Sequence, residues 1–436
     1  MYRFGHPIRS VYVTRGGRCE LSDHGFEAIA DILTPEEIPV DPEVEELGFD
    51  GVMYSVTELM DYMRCRRMWD FVSPSRQALQ QRGAPPIALH VGSAAHHAFA
   101  AQAFGQDPLV ELAKWFDTEH KRIAIEYAQR VGTPMSTSEL RVFDESRDLT
   151  LGIVGHYFER YGPEPIKPFT YLTAELSIRV EILPNVFLVG TIDGLGLDPD
   201  GEGIWLIEHK TYTQKADLKW LQQDFQMTGY AWLLQQIIRQ PIRGVLYDGI
   251  LKKVPKAPKV LQSGMLSREW SGFEGTTVYE AAIVEQHGTQ WRDNPKLVEY
   301  YQPFLTRLEI RDRDGQSPFF TRHKIPMSQH WISQWAMNMK ALIEEISSNP
   351  AITFNLAWTG CWDCWVPDLC GAMNRGEDLE YVISSNYQKG TYRPQYKAMQ
   401  DVTPESVGGL EELIAFSRAR TTAAGGESDA TEPVQS

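Results

Sequence analysis

The chain has 436 residues, of which 42% are hydrophobic and 23% charged, and its formal net charge is −16. A chain of this length can bury a sizeable core in one large domain or two modest ones. Its sequence contains no run of about 18 apolar residues, which excludes an ordinary membrane-spanning helix. No secretory signal is evident either, so the composition predicts a cytosolic protein.

The negative charge is concentrated at the two ends of the chain. Residues 1–50 and 401–436 together hold 18 acidic and 6 basic side chains, a net −12 of the total −16. The middle of the chain is therefore close to balanced. Because phosphate binding depends on local basic patches rather than on totals, the charge does not exclude a nucleic acid partner.

The first predicted elements are an acidic N-terminal extension over residues 1–50 and a series of helices. Ser55, with Glu58 three residues later, has the pattern of a helix N-cap with a capping box. Helical periodicity then recurs in three further segments, 92–104, 108–131 and 137–161.

A strand-rich block follows the helices. Residues 170–182 and 185–194 predict a hairpin around the turn Leu183-Pro184-Asn185, and residues 204–210 predict a third strand. A long helix over 217–239 and a fourth strand over 244–250 complete the block. The predicted order is therefore helix, three strands, helix, strand.

The rest of the chain is predicted to hold an insertion, one helix, a cysteine segment and a tail. The insertion spans 252–320, and its first part, 252–275, is rich in Lys, Pro and Gly and is predicted to be irregular. The remaining segments are a helix over 327–348, a cysteine segment over 361–370, a C-terminal extension over 376–416 and a disordered tail over 417–436.

Charged side chains end the second and third predicted strands. Asp193 closes the second strand, while Glu208 and Lys210 lie two residues apart on the third and so point to the same face. His209, between them, points to the opposite face. Charges that end an apolar strand are costly to bury unless they are used. A solvated strand face is the alternative interpretation of this pattern.

Two carboxylates and an ammonium group at one end of a sheet suit hydrolysis of a phosphodiester. Carboxylate oxygens are hard ligands for Mg²⁺ or Mn²⁺, which lower the pKa of a bound water and neutralise charge on phosphate. Lys210 would orient that water or stabilise the transition state. The pattern therefore predicts a metal-dependent phosphodiesterase.

Four short motifs follow one another in the chain. They are Gly92-Ser93-Ala94-Ala95-His96, Gly190-Thr191-Ile192-Asp193, Glu208-His209-Lys210 and Gln226-Met227-Thr228-Gly229-Tyr230. In this order they resemble the RecB-like branch of the PD-(D/E)XK superfamily, over about residues 54–250. The resemblance implies an α/β fold with a restriction-endonuclease-like αβββαβ core, an N-terminal helical region and a C-terminal iron–sulfur segment, within a nuclease domain over 51–375.

The resemblance also implies roles for individual residues. The catalytic residues would be Asp193, Glu208, Lys210, Gln226 and Tyr230, and the ligands of Mg²⁺ or Mn²⁺ would be His96, Asp193, Glu208 and the backbone carbonyl of His209. Glu175 matches an acidic position upstream in the family, either beside the metal ligands or at a second metal. A helix histidine without a metal role, for His96, and a core aromatic, for Tyr230, are the alternatives.

Three cysteines, Cys361, Cys364 and Cys370, have the spacing C-x2-C-x5-C, whereas Cys65 lies far upstream and Cys19 stands alone. In a reducing compartment such clustering indicates metal binding rather than disulfides. AddB-type nuclease domains and the CRISPR-adaptation nuclease share this layout. That resemblance implies a [4Fe–4S] cluster on Cys65, Cys361, Cys364 and Cys370, while structural Zn²⁺ and free cysteines are the alternatives.

Basic residues occur in two groups that could bind DNA phosphates. Arg64, Arg66 and Arg67 flank Cys65, whereas Lys252, Lys253, Lys256 and Lys259 lie in the insertion. A solvated surface is the alternative interpretation of both groups.

The resemblance implies a DNA exonuclease or end-processing nuclease of recombination, repair or phage genome processing, in the cytoplasm of a bacterium or of a phage-infected cell. The insertion resembles that of phage-encoded stand-alone members. No Walker motif is present, so a helicase or a strand-annealing protein would be a separate partner. A CRISPR-adaptation nuclease that trims spacer precursors and a catalytically inactive iron–sulfur DNA-binding module are the alternatives. Cleavage polarity, strand preference and oligomeric state are not predicted.

Overall fold

The computed structural model describes residues 11–14, 51–82, 87–131, 134–162, 164–200, 203–214, 218–269, 272, 274–354, 361 and 364–390. Most of the predicted N-terminal extension, Cys19, and the predicted tail lie outside these residues. The helices are α1 (Val56–Arg64), α2 (Arg66–Val72), α3 (Ile87–Ala103), α4 (Pro108–Val131), α5 (Thr137–Tyr161), α6 (Leu218–Leu221), α7 (Phe225–Ile238), α8 (Gly275–His287), α9 (Pro295–Arg313), α10 (Gln329–Ser347), α11 (Pro367–Arg375) and α12 (Leu379–Asn386). The strands are β1 (Val11–Thr14), β2 (Val52–Ser55), β3 (Leu79–Gln81), β4 (Thr170–Leu183), β5 (Val186–Leu197), β6 (Ile204–Tyr212), β7 (Ile242–Leu251), β8 (Phe320–Pro326) and β9 (Tyr387–Lys389).

The start of α1 is fixed by the predicted capping box. The Glu58 amide donates to Ser55 Oγ at 3.0 Å, and the Ser55 amide donates to the Glu58 carboxylate at 3.4 Å. These two bonds satisfy backbone donors that the first helical turn leaves without partners. The three helical segments predicted next are confirmed as α3, α4 and α5.

A mixed sheet in the order β1-β4-β5-β6-β7-β8 forms the centre of the protein. The predicted hairpin is confirmed as β4 and β5, joined by a turn in which Asn185 has a left-handed φ of 59°. β6 and β7 pair in parallel, and α7 lies between them in the chain. The predicted order of helix, three strands, helix and strand is therefore confirmed.

One edge of β5 is shared by two strands. β2 pairs in parallel with residues Val186–Val189, at the start of β5, and β6 pairs antiparallel with residues Gly194–Leu197, at its end. β5 and β6 therefore separate just before Gly194. This opening lies next to Asp193.

One predicted helix is wrong in detail, and the insertion holds helices for which no prediction was made. The helix predicted over 217–239 is interrupted, because the Asp224 side chain accepts a 2.8 Å hydrogen bond from the Met227 amide and so begins a new helix, α7, after the short α6. The insertion is irregular over its first part, as predicted, but it continues into α8 and α9. These two helices share a separate core that includes Tyr279, Trp291 and Tyr301.

Apolar clusters cover both faces of the sheet. Alternate residues of β7 enter opposite clusters: Val245 and Tyr247 pack in the cluster that contains α1, α7 and α10, whereas Ile250 packs with α3, α4 and α5. The functional side chains therefore lie in a sheet that is held from both sides. None of the described helices is both long and apolar enough to cross a membrane.

The N-terminal helical region is joined directly to the C-terminal segment. β3 pairs antiparallel with β9, and Met68 and Phe71 of α2 pack against Val366 and Leu369 in one buried cluster. Cys65 and Cys364 are partly buried members of the same cluster.

Candidate active site

Asp193 lies where β5 and β6 separate. The backbone N–H of His209 on β6 donates a 2.9 Å hydrogen bond to Asp193 Oδ2. The side chain of Asp193 thus bonds β6 just beyond the last paired residues, Gly194 and Ile207. Its second oxygen remains available to other groups.

That second oxygen faces a histidine and another carboxylate. His96 Nδ1, on α3, lies 3.0 Å from Asp193 Oδ1 and 4.0 Å from Glu175 Oε1. One ligand atom from each of these three residues lies within 4.8 Å of the others. In the described part of the chain, no other three His, Cys, Asp or Glu residues come together in this way.

The backbone of Glu175 has an unusual conformation for a strand. Its φ is +47°, and its neighbours Ala174 and Leu176 pair with Gly194 and Ile192, so Glu175 lies across from Asp193. Residues other than glycine rarely adopt this left-handed conformation, because it costs free energy. Like charges placed across from each other on neighbouring strands are also unfavourable. The repulsion between the two carboxylates is offset by a positive group beside them, and His96 Nδ1 lies within 4.0 Å of both.

The pKa values of the three groups reflect this crowding. Burial and the charge of Asp193 raise the pKa of Glu175 to about 7. Burial alone would lower the pKa of His96, but its attraction to Asp193 outweighs this and raises the pKa to about 9. Although burial opposes it, His96 holds the pKa of Asp193 below its usual value.

A hydrogen-bonded chain extends from the strand to α7. Glu208, which is buried, forms an ion pair with Lys210, and Lys210 Nζ donates to Gln226 Oε1 at 2.7 Å. Gln226 Nε2 in turn donates to the Tyr230 hydroxyl at 2.8 Å. Burial raises the pKa of Glu208 to about 7 against the opposing charge of Lys210.

Steric contact with Tyr230 explains why the second motif begins with a glycine, Gly190. A Cβ atom on Gly190 would lie 2.7 Å from the Tyr230 ring, which packs on β5 at this position. Gly190 therefore lets Tyr230 approach the sheet closely enough to hold Gln226 beside Lys210. This contact explains why two motifs 36 positions apart in the chain occur together.

The predicted ligand set differs from the one that the structure brings together. Glu175, predicted as a neighbour of the ligands or part of a second metal site, joins His96 and Asp193 in the compact group. Glu208, also predicted as a ligand, lies outside this group of three and forms an ion pair with Lys210. Two carboxylates and an imidazole are a donor set that fits Mg²⁺ or Mn²⁺. Nothing in the strand pattern of the sequence could reveal the left-handed backbone that turns Glu175 toward Asp193.

The pKa values predict how a cation should affect stability. Glu175 and Glu208 rise from an ordinary value of 4.5 to about 7, and His96 rises from 6.5 to about 9. The folded protein therefore binds these protons more tightly than the unfolded chain does, and without metal it should lose stability as the pH rises from 4.5 to 9. Mn²⁺ replaces these protons, so it should raise Tm more at pH 8.5 than at pH 6. Thermal melts in Mn²⁺ and in EDTA at the two pH values test this, and an equal or larger shift at pH 6 would contradict it.

The four cysteines of the predicted cluster lie in one region. The pKa of the Cys364 thiol is raised by burial and by its neighbours Cys65 and Cys361. Arg67 Nη1 donates to Cys370 Sγ at 3.3 Å. Three of the four thiols are partly buried and Cys361 is exposed.

The predicted DNA-contacting residues include arginines that are paired within the protein and lysines that are exposed. Arg66 pairs with Glu345, and Arg67 donates to Asn374 Oδ1 at 2.9 Å as well as to Cys370, so both guanidinium groups have partners within the protein. Lys253 and Lys256 are exposed in the insertion, and the Lys252 amide donates to the Tyr212 carbonyl at the end of β6. The lysines therefore lie beyond the end of the strand that carries Lys210.

Comparison with protein families identifies the family of this chain. The sequence model described as the PD-(D/E)XK nuclease superfamily matches residues 53–371. This range includes all four motifs and the four cysteines of the predicted cluster, Cys65, Cys361, Cys364 and Cys370. A search of curated proteins finds no match.

Proposed function

Because this chain belongs to the PD-(D/E)XK nuclease superfamily, we propose that it is a divalent-metal-dependent deoxyribonuclease of the RecB-like branch that degrades or trims DNA from its ends. The observation that carries the proposal is the compact group of His96, Glu175 and Asp193. Next to it in the sheet lies the series of paired side chains that runs from Glu208 through Lys210 and Gln226 to Tyr230. An inactive binding module would have no need of two partly exposed carboxylates and an imidazole placed this close together.

The residues of the site divide into two groups by what they can do. His96, Glu175 and Asp193 would hold Mg²⁺ or Mn²⁺, with Glu208 and the His209 carbonyl as further candidates. When bound, such an ion activates water and offsets negative charge on the scissile phosphate. The protein would hold these ligands in position and would supply a second positive charge, the ammonium group of Lys210.

Lys210 is held in place before any substrate arrives. Its ammonium group contacts Glu208 on one side and Gln226 on the other, and Tyr230 fixes the orientation of the Gln226 amide. Nearby carboxylates raise the pKa of Lys210 above its usual range, so the group stays charged. A fixed ammonium group can donate to a phosphate oxygen with little reorganisation, which is the main source of electrostatic catalysis.

Digestion of end-labelled DNA tests the proposal. Linear single-stranded and double-stranded substrates should be shortened from their ends in Mn²⁺ or Mg²⁺ and remain intact in EDTA. Covalently closed circles of the same sequence should resist. Cleavage of the circles at a similar rate would show an endonuclease, and intact linear DNA under all metal conditions would contradict a nuclease function.

We also propose that Cys65, Cys361, Cys364 and Cys370 bind a [4Fe–4S] cluster that joins the N-terminal helical region to the C-terminal segment. The proposal is supported by the shared packing of Cys65 and Cys364 and by the rise in the pKa of Cys364 that burial and the neighbouring Cys65 and Cys361 cause. Structural Zn²⁺ would suit the same four thiols. In either case the role is structural, since no substrate group needs to reach it.

The change Cys65→Ser tests the cluster. Metal binding to four thiolates contributes to folding free energy, so this variant should have a lower Tm than the wild type and lose its bound metal. Anaerobically purified wild type should be brown, with iron and sulfide near four of each per chain as expected for a cube. Cys19→Ser is the control and should keep colour and Tm. One zinc per colourless wild-type chain would establish the alternative metal.

The surroundings suggest where DNA and partners would lie. Lys252, Lys253 and Lys256 would bind the phosphate backbone as it passes beyond the end of β6. The nuclease domain over 51–375 would act alone or with a separate helicase or strand-annealing protein in recombination, repair or phage genome processing.

A further inference from the structure

The opposite face of the strand that carries Glu208 and Lys210 holds a buried polar row that the proposed chemistry does not use. His209 on β6, Asp248 on β7 and Arg322 on β8 are direct neighbours in the paired register of the three strands. Asp248 is completely buried and His209 is 2% exposed. Charges buried in this way are costly unless they are fully paired.

Every polar atom of the His209 ring has a partner. Its Nδ1 lies 3.0 Å from Asp248 Oδ2, and its Nε2 lies 3.1 Å from the Tyr171 hydroxyl. The Phe99 ring of α3 stacks on the imidazole at a centroid distance of 4.3 Å. The ring therefore has a single orientation, fixed in its plane by two hydrogen bonds and above its plane by an aromatic ring.

Asp248, which holds the imidazole, is itself held by two further residues. Arg322 donates to Asp248 Oδ1 through Nε at 3.0 Å and through Nη2 at 2.9 Å. The Tyr157 hydroxyl donates to Asp248 Oδ2 and accepts a 2.8 Å hydrogen bond from Arg322. The row is thus a closed network in which the carboxylate is saturated with donors.

The network reaches the active site through the backbone of His209. The same residue whose ring is fixed on one face donates its N–H to Asp193 Oδ2 at 2.9 Å. Its chain neighbours Glu208 and Lys210 project to the other face. A rotation of the His209 peptide would therefore displace Asp193 and both neighbouring charges together.

We propose that Asp248 and Arg322 are positioning residues that fix the His209 peptide and thereby hold Asp193 in the orientation that binds the divalent cation. The inference rests on the proposed function, and it goes further by adding two strands, β7 and β8, to the construction of the site. Partners that orient metal ligands typically change metal affinity or activity by about 10–100-fold when they are removed.

A matched ion pair in the same sheet serves as the control. Arg243, on β7, donates to Asp198 Oδ2 at 2.7 Å, and Asp198 is 6% exposed. This pair lies at the other end of β7, near the residues where β6 begins. It shares with the Asp248–Arg322 pair a buried carboxylate and an arginine, but neither of its residues is in register with His209 in the described sheet.

The experiment compares two double variants that each remove a whole ion pair, so that neither leaves a buried unpaired charge. They are Asp248→Asn with Arg322→Gln, and Asp198→Asn with Arg243→Gln. Mn²⁺ binding is measured without DNA, from the signal of free Mn²⁺ in electron paramagnetic resonance, together with Tm, kcat and KM for a linear DNA. The first variant should bind Mn²⁺ about 10–100-fold more weakly and lose kcat to a similar extent, with little change in KM. The control should have a lower Tm and the Mn²⁺ affinity of the wild type.

The outcomes separate this inference from the proposed function. Wild-type Mn²⁺ affinity in the Asp248/Arg322 variant would overturn the positioning role, as would equal losses of affinity in both variants. If that variant does not fold, Tyr157→Phe removes one hydroxyl from Asp248, and an unchanged Mn²⁺ affinity would overturn the role in the same way. A wild type that binds Mn²⁺ but leaves DNA intact would contradict the proposed function alone.

Discussion

The change Asp193→Asn should abolish DNA cleavage while the protein keeps its fold. An asparagine oxygen can still accept the hydrogen bond from the His209 amide, which in the wild type is 2.9 Å long. What is lost is the negative charge that pairs with His96 and that would bind the proposed divalent cation. Metal coordination contributes several kcal/mol to the transition state, so kcat/KM should fall by roughly 10³-fold or more. Cleavage of labelled linear DNA in Mn²⁺ measures this.

The matched control for this change is Asp198→Asn. Asp198 is also a buried aspartate near the end of β5, but it pairs with Arg243 and lies away from the group of His96, Glu175 and Asp193. This variant should lose stability and retain the cleavage rate of the folded enzyme. Near-normal cleavage by Asp193→Asn at wild-type Tm would remove Asp193 from the site.

The second large effect is expected for Lys210→Gln. Glutamine removes the ammonium charge but can still donate one hydrogen bond to Glu208 or Gln226, the two partners of Lys210. Loss of one preorganised donor at the reacting group typically lowers kcat by about 10²–10³-fold. Mn²⁺ should bind at least as tightly as in the wild type, because a competing positive charge has been removed. Single-turnover cleavage and Mn²⁺ titration measure the two quantities separately.

Lys296→Met is a suitable control for the loss of a lysine. Lys296 is exposed in the first turn of α9, within the insertion and far in the chain from the catalytic strands. Its removal should change neither quantity. A Lys210→Gln variant that cleaves DNA at the wild-type rate would show that Gln226 and Tyr230 hold the lysine for a structural reason only.

Local patterns were sufficient to predict the elements that carry the site. Ser55 and Glu58 indicated the start of α1, and the turn Leu183-Pro184-Asn185 indicated the hairpin. The spacing of Glu208 and Lys210 gave their common face, because side chains alternate strictly along a strand. Each of these signals lies within a few residues of the structure that it predicts.

The signals that were missed all depend on distant parts of the chain. Asp248 and Arg322 look like ordinary strand residues until β6, β7 and β8 are aligned, when they fall beside His209. Glu175 was predicted from the family resemblance alone, and its closeness to Asp193 follows from the pairing of β4 with β5 and from its left-handed φ of 47°. The strand β8 has a mostly polar sequence that does not by itself predict a strand, and it is held in the sheet by pairing with β7.

The contact between α2 and the C-terminal segment can form only late in the synthesis of the chain. α2 buries Met68 and Phe71 against Val366 and Leu369, and β3 pairs with β9. The later segment follows the earlier one by roughly 300 residues, which takes roughly 15–60 s to synthesise at ~5–20 residues per second. During that interval the strands of the catalytic sheet have emerged, while Met68 and Phe71 have not yet met Val366 and Leu369. We therefore expect the nascent chain to form the sheet before α2 packs against the C-terminal segment.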